Sequence, residues 1–256
     1  MLYAVYAVLY LFVFLFGSCI GSFLNVIVYR VPRSISFVRG RSVCPACGET
    51  LKPLDLIPVL SYLLLRGRCR NCGAKIAPRY LLAELFCGGM AVWLFIHYDF
   101  TLQALCAFAL CALLWTVALI DHDTMTIPNG LVIALIVPAA AAVLLFPRVG
   151  LLSRAIGLFA VSVPLWLLTL CIPDCFGGGD IKLMAVCGFA LGWQNALLAA
   201  FIAVILCGGY ALFLLVTRRI GKKAHIAFGP YLALGVAAAF VYGDAMLTGY
   251  LSLFGL

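Results

Sequence analysis

The sequence predicts an all-α polytopic membrane protein of about eight transmembrane helices, interrupted by one sizeable loop outside the bilayer. Three observations carry that expectation. Of 256 residues, 66% are hydrophobic, and the mean hydropathy of +1.18 lies outside the range of soluble globular domains. Only 10% of residues are charged. Those charges are concentrated: between Tyr29 and Arg79 stand ten Lys or Arg and only Glu49 and Asp55, so the net charge of +8 arises within that stretch.

The expected spans are 3–28, 81–96, 102–120, 130–147, 154–172, 181–194, 195–216 and 227–246. In the opening run "MLYAVYAVLYLFVFLF" no basic residue precedes the apolar stretch, and the first arginine is Arg30. A cleavable signal peptide has the reverse arrangement, so 1–28 reads as a retained first helix. Three regions follow: the first helix at 1–28, a basic loop at 29–79, and a membrane-embedded helical region at 80–256. The span at 181–194 is short enough to be re-entrant.

Orientation follows from the basic residues. The 29–79 loop and the segment "TRRIGKKAH" at 217–225 are both rich in Lys and Arg and are expected in the cytoplasm. They share a side only if 181–194 crosses. Arg148 and Arg154 then fall on the outer side, against the rule. The basic loop also suits anionic lipid headgroups.

Within that loop stand "CPAC" (Cys44, Cys47) and "CRNC" (Cys69, Cys72), separated by 21 residues. Two C-x-x-C pairs can close a tetrahedron of thiolates around zinc, each pair making one knuckle. A reducing cytosol argues against paired disulfides. The loop has few aromatic residues, so nucleic acid is not an expected partner. The other eight cysteines lie in or beside apolar runs and read as small packing residues. Cys175 is the one near a candidate site, with His122 available to it as a base.

Carboxylates at membrane depth are costly and usually functional. The stretch "LIDHDTMTIPNG" (119–130) must end a helix before Pro128, which pushes Ile127 out of helical geometry. Asp121 and Asp123 are then at a cytoplasmic helix end. Asp180, in "CFGGGDIKLM" (175–184), begins the next inward-facing helix. Topology alone therefore brings two acidic clusters to one face. Paired carboxylates can share a proton, one acting as base toward water and the other as acid toward the leaving group. Asp121 and Asp123 are about 200° apart on a helix, so only one can face the site. Gly177, Gly178 and Gly179 permit positive φ and close backbone approach to Asp180. On its own, "GGGD" also reads as a helix-entry turn with Asp180 as cap.

"GGGDIKL" resembles the G-x-G-D signature of intramembrane aspartyl peptidases. With "IDHDTMTIPN", "GSFLNVIVYR" (21–30), "CPAC…IPVLSYLLLRGRCRNC" and "IAFGPYLALG" (226–235), the chain resembles the bacterial type IV prepilin peptidases along nearly its whole length. The resemblance implies cleavage of the basic leader of prepilins or pseudopilins after glycine at the cytoplasmic face of the bacterial inner membrane. It also implies N-methylation of the new terminus from S-adenosylmethionine, for which spacing reveals no cofactor site. It carries the catalytic pair to Asp121 and Asp180 and the zinc ligands to Cys44, Cys47, Cys69 and Cys72. From the residues themselves, Gly177 and Gly179 support the site through backbone approach, Asp123 stands at its rim, and Lys182 supports the Asp180 charge if its amine turns back toward the site. Leu56 and Leu81 depart from the family, which commonly has Asn and Pro there. Glu84 is a further polar candidate. Two other classes remain: a proton-coupled transporter, and a zinc-binding scaffold of secretion machinery without chemistry. Against the transporter, the acids cluster at one face and no repeat is apparent.

Overall fold

The computed structural model describes residues 2–172, 175–218 and 225–254. Most of the basic segment at 217–225 lies outside the described residues. The described chain is helical, with no strand and only two isolated antiparallel bridges, Val43–Thr50 and Arg68–Lys75. It divides into two compact units, Met1–Phe108 and Ala109–Leu256.

In the first unit α1 (Leu2–Arg30) and α3 (Pro78–His97) form a close pair, with the loop and the short α2 (Leu60–Leu64) between them in sequence. Pro78 stands at the start of α3, where its missing N–H costs nothing. The α1–α3 seam is built on small residues. A Cβ on Gly17 would lie 2.7 Å from the Ala91 Cβ, and one on Gly21 2.8 Å from the Cys87 Cβ. In lipid, where apolar burial drives no helix pairing, this close approach supplies van der Waals contact. Asn25 ties the far end of α1 to the first turn of α3 by donating to the Tyr80 carbonyl at 3.3 Å. Arg30 then fixes the start of the loop, donating to the carbonyls of Ser36, Arg39 and Arg41 at 2.9–3.2 Å.

The division between units falls within α4 (Leu102–Thr124). The second unit continues with α5 (Asn129–Leu145), α6 (Leu151–Ala160), α7 (Ser162–Cys171), α8 (Gly178–Leu191), α9 (Trp193–Val216) and α10 (Gly229–Ser252). The expected span 154–172 is two helices broken at Val161. Pro164, in the first turn of α7, has no N–H to return to Ala160 and its ring crowds that carbonyl. Six segments are long and apolar enough to cross a membrane, with α6 and α7 counted together. The shorter α5 and α8 complete the expected eight. α8 has 14 residues, or about 21 Å against a hydrocarbon core of about 30 Å, and only Gly192 separates it from α9.

Arg154, which violated the charge rule, is fully buried. It donates to the carbonyls of Val149, Ala142, Phe146, Phe189 and Ala190 at 2.7–3.4 Å. It thus caps the C-terminal ends of α5 and α8, where helix dipoles are negative, and acts as a helix pin rather than a topology charge.

Candidate active site

The second unit gathers four helix ends. α4 stops at Thr124, one turn after Asp121, because Met125 turns left-handed, φ +52°, and its N–H returns to the Asp121 carbonyl at 2.8 Å. Pro128 then opens α5. The N-terminus of α8 is held against this connection in two places. Lys182 Nζ donates to Asn129 Oδ1 at 3.0 Å, and a Cβ on Gly179 would lie only 2.7 Å from the Ile127 Cβ. Finally, the N–H of Gly229, the first residue of α10, donates to Asp121 Oδ2 at 2.9 Å.

The result is two buried carboxylates at one end of the helices. Asp121 is 5% exposed and Asp180 8%, and they are close enough for the charge of one to act on the other. Asp123, two residues on from Asp121, is exposed. Gly177 is the N-cap of α8, and Asp180 caps the helix from the N3 position of a capping box. It is the third residue of α8 and reaches back to accept the Gly177 N–H on Oδ2 at 3.2 Å. Its Oδ1 is buried and has no hydrogen-bond partner among the described residues.

Two expectations change. None of the three glycines before Asp180 has positive φ. Gly179 is needed for the close approach of Ile127, whereas nothing lies within 4 Å of a Cβ on Gly178. Lys182 does not turn back toward Asp180 but joins α8 to α5 through Asn129. Cys175 is exposed. Sequence reasoning gave no role to Gly229, Asn129 or Met125. "IAFGPYLALG" was noticed only as a pattern, because a backbone N–H aimed at a carboxylate 108 residues away leaves no local trace.

The first unit gathers the four cysteines. Their Sγ atoms all lie within 4.8 Å of one another, with Cys44 and Cys72 at 3.9 Å. Tetrahedral zinc with Zn–S near 2.3 Å sets sulfurs about 3.8 Å apart, so the cluster fits a zinc knuckle. The two halves are alike. In each, the N–H of the first cysteine bonds the carbonyl five residues on, at 2.9 Å for Cys44–Glu49 and 2.8 Å for Cys69–Ala74. In each, a left-handed glycine follows the second cysteine: Gly48 at φ +72° and Gly73 at +71°. The backbone N–H groups of Cys47 and Ala46 pull the Cys44 thiol down to about 6. At Cys47 the Glu49 N–H pulls the same way but is outweighed by burial and the Cys44 thiolate, leaving it at about 11. Successive thiols that ionise against one another are what a divalent cation relieves.

Residues 15–98 match the Bacterial Peptidase A24 N-terminal domain, and residues 108–212 match the Type IV leader peptidase family. The chain belongs to the type IV leader peptidase family. A Bacillus subtilis prepilin leader peptidase/N-methyltransferase is 35% identical over 94% of this chain and 97% of its own length. Proteins of the same description from Burkholderia pseudomallei and Pseudomonas aeruginosa are 33% and 31% identical over 91% and 94% of this chain, and 85% and 93% of their own lengths. No solved structure matches. The two family matches meet near the division between the compact units, so the cysteine cluster belongs to the N-terminal domain and the buried carboxylates to the leader peptidase domain.

Proposed function

We propose that this protein is an intramembrane aspartic endopeptidase that removes the basic leader of prepilins or pseudopilins. In this reading it then methylates the freed N-terminus from S-adenosylmethionine. The observation that carries the peptidase half is the pairing of Asp121 and Asp180, buried together at helix ends and held by separate backbone N–H donors. A proton relay for transport would string acids across the bilayer rather than pair them at one end.

The chemistry follows from the two environments. Helix ends alone would favour charge on Asp180 and not on Asp121. That contrast is weakened, because the N-terminus of α10 also faces Asp121. In this reading the base is Asp180, whose Oδ1 is buried and has no hydrogen-bond partner among the described residues. It is the oxygen left to accept a proton from water. Water attacks the scissile carbonyl as Asp180 takes that proton, and Asp121 delivers the shared proton to the departing amine. The open space over Gly178 leaves room for a substrate backbone beside this pair.

The four thiolates hold zinc in a structural role. Four sulfurs close the coordination sphere, and no open position remains for water. In this reading the N-terminus lies outside the inner membrane, and the loop and the carboxylate pair face the cytoplasm, an orientation that the basic residues of 29–79 and chain alternation support. The pair's helix ends, one C-terminal and three N-terminal, agree with that alternation. Incubating purified enzyme with prepilin and following the leader on a gel tests the peptidase reading. No cleavage by intact, zinc-loaded protein would refute it.

A further inference from the structure

The first unit contains a cavity of about 730 Å³ between the α1–α3 pair and the cysteine loop. Its size is within the range of small-molecule sites, about 300–1,000 Å³. Asn25, Tyr62, Tyr80 and Glu84 line it, with Cys44 and Cys69 of the cluster and charged side chains of both signs: Glu49 and Asp55, and the basic Arg30, Arg39, Arg41, Lys52, Arg70 and Lys75. Glu84 differs from every other acid of the loop region. It is the seventh residue of α3 and only 9% exposed. Among the described residues no Lys or Arg pairs with it, whereas Asp55 is held by Arg70 at 2.7 Å. One carboxylate oxygen, Oε2, accepts the Val59 N–H at 2.8 Å.

That contact is itself unusual. Val59 has φ +63° and ψ −54°. A β-branched residue in that region is an outlier, and such strain persists only where the surroundings enforce it, typically at functional sites. The strained turn therefore presents its N–H to Glu84 and fixes the carboxylate's orientation. The second oxygen, Oε1, has no hydrogen-bond partner among the described residues, and Glu84 lines the cavity. A buried carboxylate without a cation is a place for a ligand's cation.

Resting on the methyltransferase reading above, we propose that Glu84 receives the free α-amine of the cleaved substrate in this cavity and takes its proton before methyl transfer. An ammonium has no lone pair to attack with. Glu84 accepts one proton from the ammonium, leaving a neutral amine. The amine nitrogen attacks the methyl carbon of the sulfonium donor. The N–C bond forms as the C–S bond breaks, and the sulfonium becomes a neutral thioether. The product is a methylammonium, and the Glu84 proton returns to water. Tyr62 and Tyr80 supply the aromatic surfaces a nucleoside donor would stack on.

The test uses full-length zinc-loaded enzyme, a pilin whose leader has already been removed, and intact prepilin. Glu84→Gln keeps an oxygen for the Val59 N–H, so the turn is retained. It should lower methylation at neutral pH at least about 100-fold, the scale of a lost general base. Cleavage of prepilin, zinc content and calorimetric binding of S-adenosylhomocysteine should stay within about threefold of wild type, each a change of under about 1 kcal/mol. Methylation by the variant should recover as pH rises past about 8, where an α-amine loses its proton unaided. Wild-type-like methylation by Glu84→Gln at neutral pH would overturn the proposal, as would a loss that high pH fails to relieve. Failure of the wild-type enzyme to methylate or to bind S-adenosylhomocysteine would instead overturn the methyltransferase reading itself.

Discussion

The two units hold their polar groups by different means. In the second, Asp121 and Asp180 sit at the ends of packed helices. Their positions are set by close backbone approaches and by N–H groups from Gly177 and Gly229. In the first, the loop between α1 and α3 carries little apolar packing of its own, and Leu54, Leu60, Leu63 and Leu64 are exposed. Its shape depends on the four-cysteine cluster, on Arg30 and on the Val59–Glu84 bond. The carboxylate pair should therefore be sensitive to small changes in helix packing and indifferent to metal. The loop should behave in the opposite way.

The largest effect expected is at the pair. Asp121→Asn or Asp180→Asn should lower prepilin cleavage by roughly 10³-fold or more, within the range for losing an acid–base group. Methylation of an already cut pilin should persist, as read by intact mass. Next is Gly229→Ala, whose new Cβ would lie 2.6 Å from Asp121 Oδ2. Displacing that carboxylate by a fraction of an ångström to an ångström should slow cleavage by up to about 100-fold. Circular dichroism should show unchanged helix content. Metal removal separates the units most sharply. Chelation, or Cys44→Ser, should release zinc and lower methylation at least about tenfold, on the scale of disturbed metal sites. Cys44 and Cys69 line the cavity, whereas cleavage should change little. Smaller still, Lys182→Met removes the tie to Asn129. One exposed hydrogen bond is worth about 0.5–1.5 kcal/mol, so cleavage should fall about two- to tenfold. Asp123→Asn, at an exposed position, should fall least.

Much of this was legible before any coordinates. The apolar runs gave the helices, and Asp121 and Asp180 came to one face by counting crossings. The two C-x-x-C pairs announced their cluster through spacing alone. What escaped was whatever depended on distant backbone. Gly229 contributes an N–H and room, not a side chain. The glycines before Asp180 suggested left-handed turns, yet the need at Gly179 is space for Ile127. The break at Val161 could be traced to Pro164, but an apolar run hides such a kink. Arg154 looked like a topology error because sequence cannot reveal that five carbonyls surround it. Glu84 was noticed as a polar residue in an apolar helix. Its bond to a strained valine 25 residues earlier belongs to the folded loop.

The account's central claim is that the buried Asp121–Asp180 pair performs the cut without help from the cysteine loop. The most direct measurement is the initial rate of prepilin cleavage by wild-type and Asp180→Asn enzymes, each with and without its metal, all four checked for intact helix content. Wild-type enzyme should cleave at a comparable rate in both metal states, and Asp180→Asn should cleave in neither. Cleavage that survives Asp180→Asn but disappears with the metal would contradict the claim.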